Sequence, residues 1–170
     1  MNAAPRENWG EANRRHLMAA VQAMFARRDG RAIDMPQPID PPARLDSLAA
    51  TFGLGPFEQE VLLLALAHEL GLVPGERPTI GEAFGLAGGA VDPALCPQGP
   101  LRRWRLIEIE GNGGFTRQTI RLDERILHHL LGIDYLDTRL DGLIEPVAAG
   151  GALSPAEATK TVEHLAHLWQ

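Results

Sequence analysis

The chain has 170 residues, of which 45% are hydrophobic, and carries a single cysteine, Cys96, which excludes an internal disulfide. It is long enough to bury about two-thirds of its unfolded surface without a metal or disulfide, it has no apolar run of about 18 residues, and its opening MNAAPRENWGEANRR lacks the apolar core of a secretory signal. The expectation is one soluble cytoplasmic domain with a small appendage, and the formal charge of −6 means that any contact with nucleic acid must come from a local patch.

Residues 11–29 place Leu17, Ala20, Val21, Met24 and Phe25 on one helical stripe that ends at Gly30. The stripe is narrow and contains alanine, so the helix is expected to dock on protein rather than lie on a membrane. Residues 31–44 hold Pro36, Pro38, Pro41 and Pro42 and read as an extended linker. A short amphipathic helix follows over 45–52. Gly55-Pro56 then opens a helix over 56–70 that is apolar on nearly all sides (Phe57, Val61, Leu62, Leu63, Leu64, Leu66) and is therefore the central one. Thr79 with Glu82 forms a capping box for a helix over 80–87, stopped by Gly88-Gly89. Asp92-Pro93 caps one further turn, PALC, before the turn signal PQGP.

From Trp104 the pattern alternates, with Trp104, Leu106 and Glu108 on one side and Arg105, Ile107 and Ile109 on the other, which predicts a strand. Gly111-Asn112-Gly113-Gly114 predicts a hairpin turn, and the return strand is expected over 115–122. Asp123 caps a helix over 124–131 that Gly132 ends. The segment IDYLDTRLDGLI packs by its leucines and isoleucines, VAAGG is a break, and Ser154-Pro155 with Glu157 opens a terminal helix reaching Gln170. The fold class is mainly α with a small β-hairpin. Its organisation is an N-terminal helix (1–30), a Pro-rich linker (31–44), a winged-helix domain (45–146), and a second linker with the start of a C-terminal helix (147–170).

Catalytic chemistry is not encoded by any recognisable motif. A phosphate-binding loop needs Gly-x-x-x-x-Gly-Lys-Ser/Thr, and the only lysine, Lys160, has no glycine before it. His128 and His129 diverge on their helix by about 100°. His164 and His167 share a face near Glu163, yet a structural zinc wants about four ligands, so a solvated face is preferred. Cys96 reads as a buried or idle thiol, and Ser47 and Ser154 sit at helix starts. The expectation is no enzyme, no metal and no cofactor in this chain.

Nucleic acid is the serious alternative. The candidate third helix, 80–87, offers only Gly81, Glu82 and Gly85 outward, a poor set for reading base edges. The arginines gather instead at the hairpin: Arg102, Arg103 and Arg105 on one arm, Arg117 and Arg121 on the other, with Arg125 beyond. They either form a basic edge for phosphates or pair with Glu108, Glu110, Asp123 and Glu124, the preferred reading because these acids are close in sequence.

The stretches LDSLAATFGLGPFEQEVLLLALAHEL, RPTIGEAFGL and GPLRRWRLIEIEG…IRLDERILHHLLGIDYLDTRL resemble the N-terminal winged-helix region of bacterial AAA-type ATPases associated with extracellular contractile injection systems. The resemblance covers roughly residues 45–144. It implies a regulatory or protein-interaction domain that recruits a client or injection-system component, ahead of an ATPase module that binds ATP and Mg and through which the protein oligomerises. No position here matches that module's nucleotide-binding residues. The chain stops inside an amphipathic segment (Val162, Leu165, Leu168, Trp169), which favours a fragment over a stand-alone relative. A DNA-binding transcription regulator is the alternative.

Overall fold

The computed structural model describes residues 8–133, apart from 32, 76 and 90–92. The segments expected after residue 133, with His164 and His167, lie outside the described residues.

Six helices and one hairpin make up the described residues. Helix α1 (Trp9–Arg28) starts where the Asn8 side chain accepts a hydrogen bond from Gly10 N–H, and Glu11 and Arg27/Arg28 complement its dipole at the two ends. Helix α2 (Arg44–Phe52) follows the proline segment. Pro56 stands at the start of α3 (Pro56–Glu69), as the Gly-Pro signal predicts. All seven residues from Val61 to Ala67 are buried, so α3 is the hydrophobic centre of the fold. Each of its buried leucines contributes about 1.5–3 kcal/mol relative to exposure. Helix α4 (Ile80–Leu86) carries the expected capping box in full: Thr79 Oγ1 accepts from Glu82 N–H, and the Glu82 carboxylate accepts from Thr79 N–H.

The hairpin differs from the expectation at both ends. Pro100–Arg103 is not the approach to a strand but a single helical turn, α5, with Pro100 at its start and Leu101 fully buried. Strand β1 covers only Ile107–Glu110, and β2 covers Thr119–Leu122. The two pair antiparallel with Ile107 opposite Leu122, Glu108 opposite Arg121, Ile109 opposite Ile120 and Glu110 opposite Thr119. Ile107, Ile120 and Leu122 face the core, and Glu108, Arg121 and Glu110 share the outer face. Leu106 is buried as well, which breaks the alternation expected from Trp104 onward. The cause is Arg105, whose left-handed backbone (φ 52) turns the chain between α5 and β1.

The connection between the strands is longer than a tight turn and holds a 3-10 turn at Phe115–Arg117. This loop folds back on α4. The rings of Phe84 and Phe115 lie 6.2 Å apart, and the Thr116 carbonyl sits where a β-carbon on Gly81 would be only 3.1 Å away. Thr79 bridges to Thr119, Ile80 N–H donates to Gln118 O (2.9 Å), and Ile120 N–H to Pro78 O (2.7 Å). The chain just before α4 thus adds a short third edge to the hairpin. Asp123 caps α6 (Glu124–Leu130) through Arg125 N–H.

Helix α1 packs on α3, burying Leu17, Ala20, Val21 and Met24 in the common core. Two polar residues share its buried stripe, Asn13 (1% exposed) and His16 (5%). Asn13 Nδ2 donates to Leu130 O at 2.9 Å, and its Oδ1 accepts from Arg44 N–H at 2.8 Å. One side chain therefore joins α1 to the start of α2 and the end of α6. His16 Nε2 stands 3.4 Å from the Asp46 carboxylate of α2.

Candidate functional site

The five hairpin arginines do not form one edge. Arg102 and Arg103 belong to α5, Arg105 follows it at the hairpin base, Arg121 is on β2, and Arg117 is in the loop at the tip. The four-residue ladder between base and tip spans about 13 Å.

Charges along that ladder are neutralised internally. Arg121 pairs with Glu108 across the strands and reaches Glu110 Oε1 with Nε at 3.0 Å. Glu110 Oε2 also accepts from Arg77 Nη1 at 2.6 Å, and Arg77 Nε lies 3.6 Å from Glu69. The Arg121 guanidinium is held above its ordinary value, first by its hydrogen bond to Glu108, against burial and with further attraction from Glu108 and Glu110. Arg125 pairs with Asp123 at 2.8 Å. The preference for pairing over a basic edge therefore describes Arg121 and Arg125.

It does not describe the hairpin base. Arg102 donates to the Leu95 carbonyl at 3.3 Å, and Arg103 lies over the Trp104 ring at 5.2 Å. Arg103, Arg105 and Arg117 are exposed and have no carboxylate partner among the described residues. Trp104, expected to pack within a strand, is instead 50% exposed, with its ring tilted against Phe52 at 5.6 Å.

Local sequence places this group. Gly99 N–H donates to Cys96 O, and a β-carbon at Gly99 would stand 2.3 Å from the Ala94 carbonyl oxygen, so the turn at Pro93–Leu95 and the start of α5 pass in contact that only glycine permits. At the other end Arg105 N–H donates to Arg102 O (3.1 Å) and Leu106 N–H to Leu101 O (2.8 Å). That is a Schellman closure, sealed by buried Leu101 and Leu106. Trp104 and its neighbouring arginines are therefore held in a tight, well-anchored turn.

In sequence the helix that leads into the hairpin is α5, not α4, while α4 lies under the hairpin loop. Sequence reading missed α5 although Gly99-Pro100 repeats the Gly55-Pro56 signal that identifies α3. It also missed Asn13, which lies four residues before Leu17 on the stripe of α1. Cys96 is exposed rather than buried. No group of three or more His, Cys, Asp or Glu suited to a metal ion occurs among the described residues, and none of their helices is long and apolar enough to cross a membrane.

A family model described as a winged helix domain, variant, matches residues 93–144. It begins at the turn before α5 and takes in the hairpin and α6. Together with the mainly α architecture and its single hairpin, this supports a winged-helix region in the chain. No curated protein and no solved structure matches the chain.

Proposed function

We propose that this winged-helix region is a non-catalytic, cytoplasmic protein-interaction domain that acts in or beside an AAA-type ATPase and recruits a client or a component of a contractile injection system. The observation that carries the protein-binding part is the charge balance of the hairpin. Glu108, Arg121, Glu110 and Arg77 alternate in sign along its outer face, leaving no cationic track for a phosphate backbone between base and tip. The face of α4 at Gly81 is covered by the wing loop, and α5 is a single turn, too short to read several base pairs. Half-exposed Trp104, with Arg103 over its ring, brings together two residue types enriched at the hot spots of protein–protein interfaces. The link to an AAA-type ATPase rests on the resemblance of residues 45–144, and any ATP, Mg or ring assembly belongs to that module.

A DNA-binding regulator is the second reading, favoured by Arg102, Arg103, Arg105 and Arg117, which lack carboxylate partners among the described residues. Titration of a labelled duplex at low salt separates the two. The expected result is no binding up to roughly 100 μM. A dissociation constant that rises steeply with salt, and binding lost on replacing Arg102, Arg103 and Arg105, would overturn the protein-binding reading. Phosphate released from ATP by this chain above a blank would overturn the non-catalytic one.

A further inference from the structure

Every helix among the described residues except α5 closes on a glycine with positive φ: Gly30, Gly53, Gly71, Gly88 and Gly132. Helix α5 alone closes on a side-chain-bearing residue, Arg105 at φ 52, where glycine would sit without strain. The same turn presents Trp104 half exposed. Its indole N–H has no acceptor among the described residues, whereas that of Trp9 donates to Pro41 O. The fold thus accepts backbone strain to hold an arginine that has no carboxylate partner among the described residues beside a half-exposed aromatic ring.

We infer that Arg102, Arg103, Trp104 and Arg105, with Phe52 behind the ring, form a docking site for an acidic peptide segment that carries an aromatic or leucine anchor. This rests on the protein-binding reading above and names the chemistry of the partner. Charge complementarity selects the occupant. The three arginines lie within four consecutive residues, have no carboxylate partner among the described residues, and stand on a chain of net charge −6. Arg105 and the remaining N–H groups of Arg102 are donors for carboxylates. The apolar edge shared by Trp104 and Phe52 takes the anchor, and the indole N–H offers one more donor. Single-stranded nucleic acid fits less well. Arg103 already occupies a ring face that a base would stack on, and the polymer would run from the base onto the neutralised outer face of the hairpin.

The test uses the whole chain and a fluorescent peptide of about six residues, roughly 20 Å when extended, with one phenylalanine among aspartates and glutamates. Its Asn/Gln analogue and an oligothymidine serve as comparison probes. Saturable anisotropy is expected for the acidic peptide, with the analogue at least about tenfold weaker. Trp104→Ala should abolish binding and Arg103→Ala should weaken it about fivefold. Arg105→Gly relieves the backbone strain, so it should raise the melting temperature while weakening the peptide by about fivefold; this loss cannot be ascribed to misfolding. The inference is overturned if the acidic peptide binds no better than its analogue, or if Trp104→Ala and Arg105→Gly leave its affinity unchanged. If oligothymidine stays unbound in that case, the inference alone fails and the protein-binding reading stands. Binding of oligothymidine at these same residues in place of the peptide would overturn both.

Discussion

Replacing Asn13 with leucine is expected to be among the most damaging single changes in the described fold. Leucine keeps the branched outline of asparagine but is larger by about two methylene groups, so overpacking at this buried position adds to the loss. What also changes is hydrogen bonding: Asn13 is 1% exposed, and its amide satisfies Leu130 C=O at 2.9 Å and Arg44 N–H at 2.8 Å. Leaving a buried polar group without a partner costs about 1–3 kcal/mol, so two orphans cost about 2–6 kcal/mol. Added leucine burial offsets about 1–2 kcal/mol. From these two terms the net expectation is a loss of about 1–4 kcal/mol, a large part of a typical domain's stability of about 5–15 kcal/mol. Urea unfolding followed by circular dichroism reads this directly as a fall in midpoint at unchanged slope. Asn13→Asp keeps the acceptor for Arg44 N–H but turns a carboxylate toward Leu130 C=O, so it should also destabilise. A loss below about 0.5 kcal/mol for Asn13→Leu would refute the idea that this amide ties α1 to α2 and α6.

Gly99→Ala should destabilise the fold by about 1–3 kcal/mol, because its β-carbon would meet backbone at Ala94 that cannot swing aside; thermal unfolding that matches the parent would disprove the steric argument. Arg105→Gly should stabilise by about 0.5–1 kcal/mol in the same assay, since it removes a left-handed non-glycine residue. Glu60, 2.5 Å from Arg27, has its carboxyl raised by burial, with Arg27 opposing through its charge and hydrogen bond. Its folded state therefore holds the proton more tightly than the unfolded chain, so its contribution is fully present below the ordinary carboxylate range and is lost as pH rises through the raised value. The stability of the parent relative to Glu60→Gln should accordingly improve on acidification through that window, and a pH-independent difference would count against it. Arg121→Ala should cost no more than about 1 kcal/mol, less at high salt, because its pairs with Glu108 and Glu110 are substantially exposed.

Much of the architecture follows from local signals. The run Val61–Ala67 has no polar face, so α3 has to be buried whatever surrounds it. Thr79 with Glu82 and Asp123 before α6 cap their helices within three residues of sequence. Ile107, Ile109, Ile120 and Leu122 alternate, so one face of the hairpin has to turn inward. These features depend on residues at most a few positions apart, and their geometry is that of a single helix turn or a single strand.

The candidate site depends on contacts between distant segments, which is why the same reasoning misplaced it. The turn Pro100–Arg103 is helical because Leu101 is drawn into the core and Gly99 passes against Ala94, and that turn lifts Trp104 out of the strand. Phe115 and Thr116 settle on α4 instead of extending β2, lengthening the loop that Gly111 to Gly114 led one to expect to be tight. Which arginine is neutralised is decided by register: Ile109 opposite Ile120 puts Glu108 opposite Arg121, while Arg103 and Arg105 fall beyond the end of the ladder. From the sequence alone came the number of arginines, every helix among the described residues except α5, and the hairpin. Tertiary packing decided which of those charges meet a carboxylate, because a side-chain pair across strands is fixed only once the core has chosen the register.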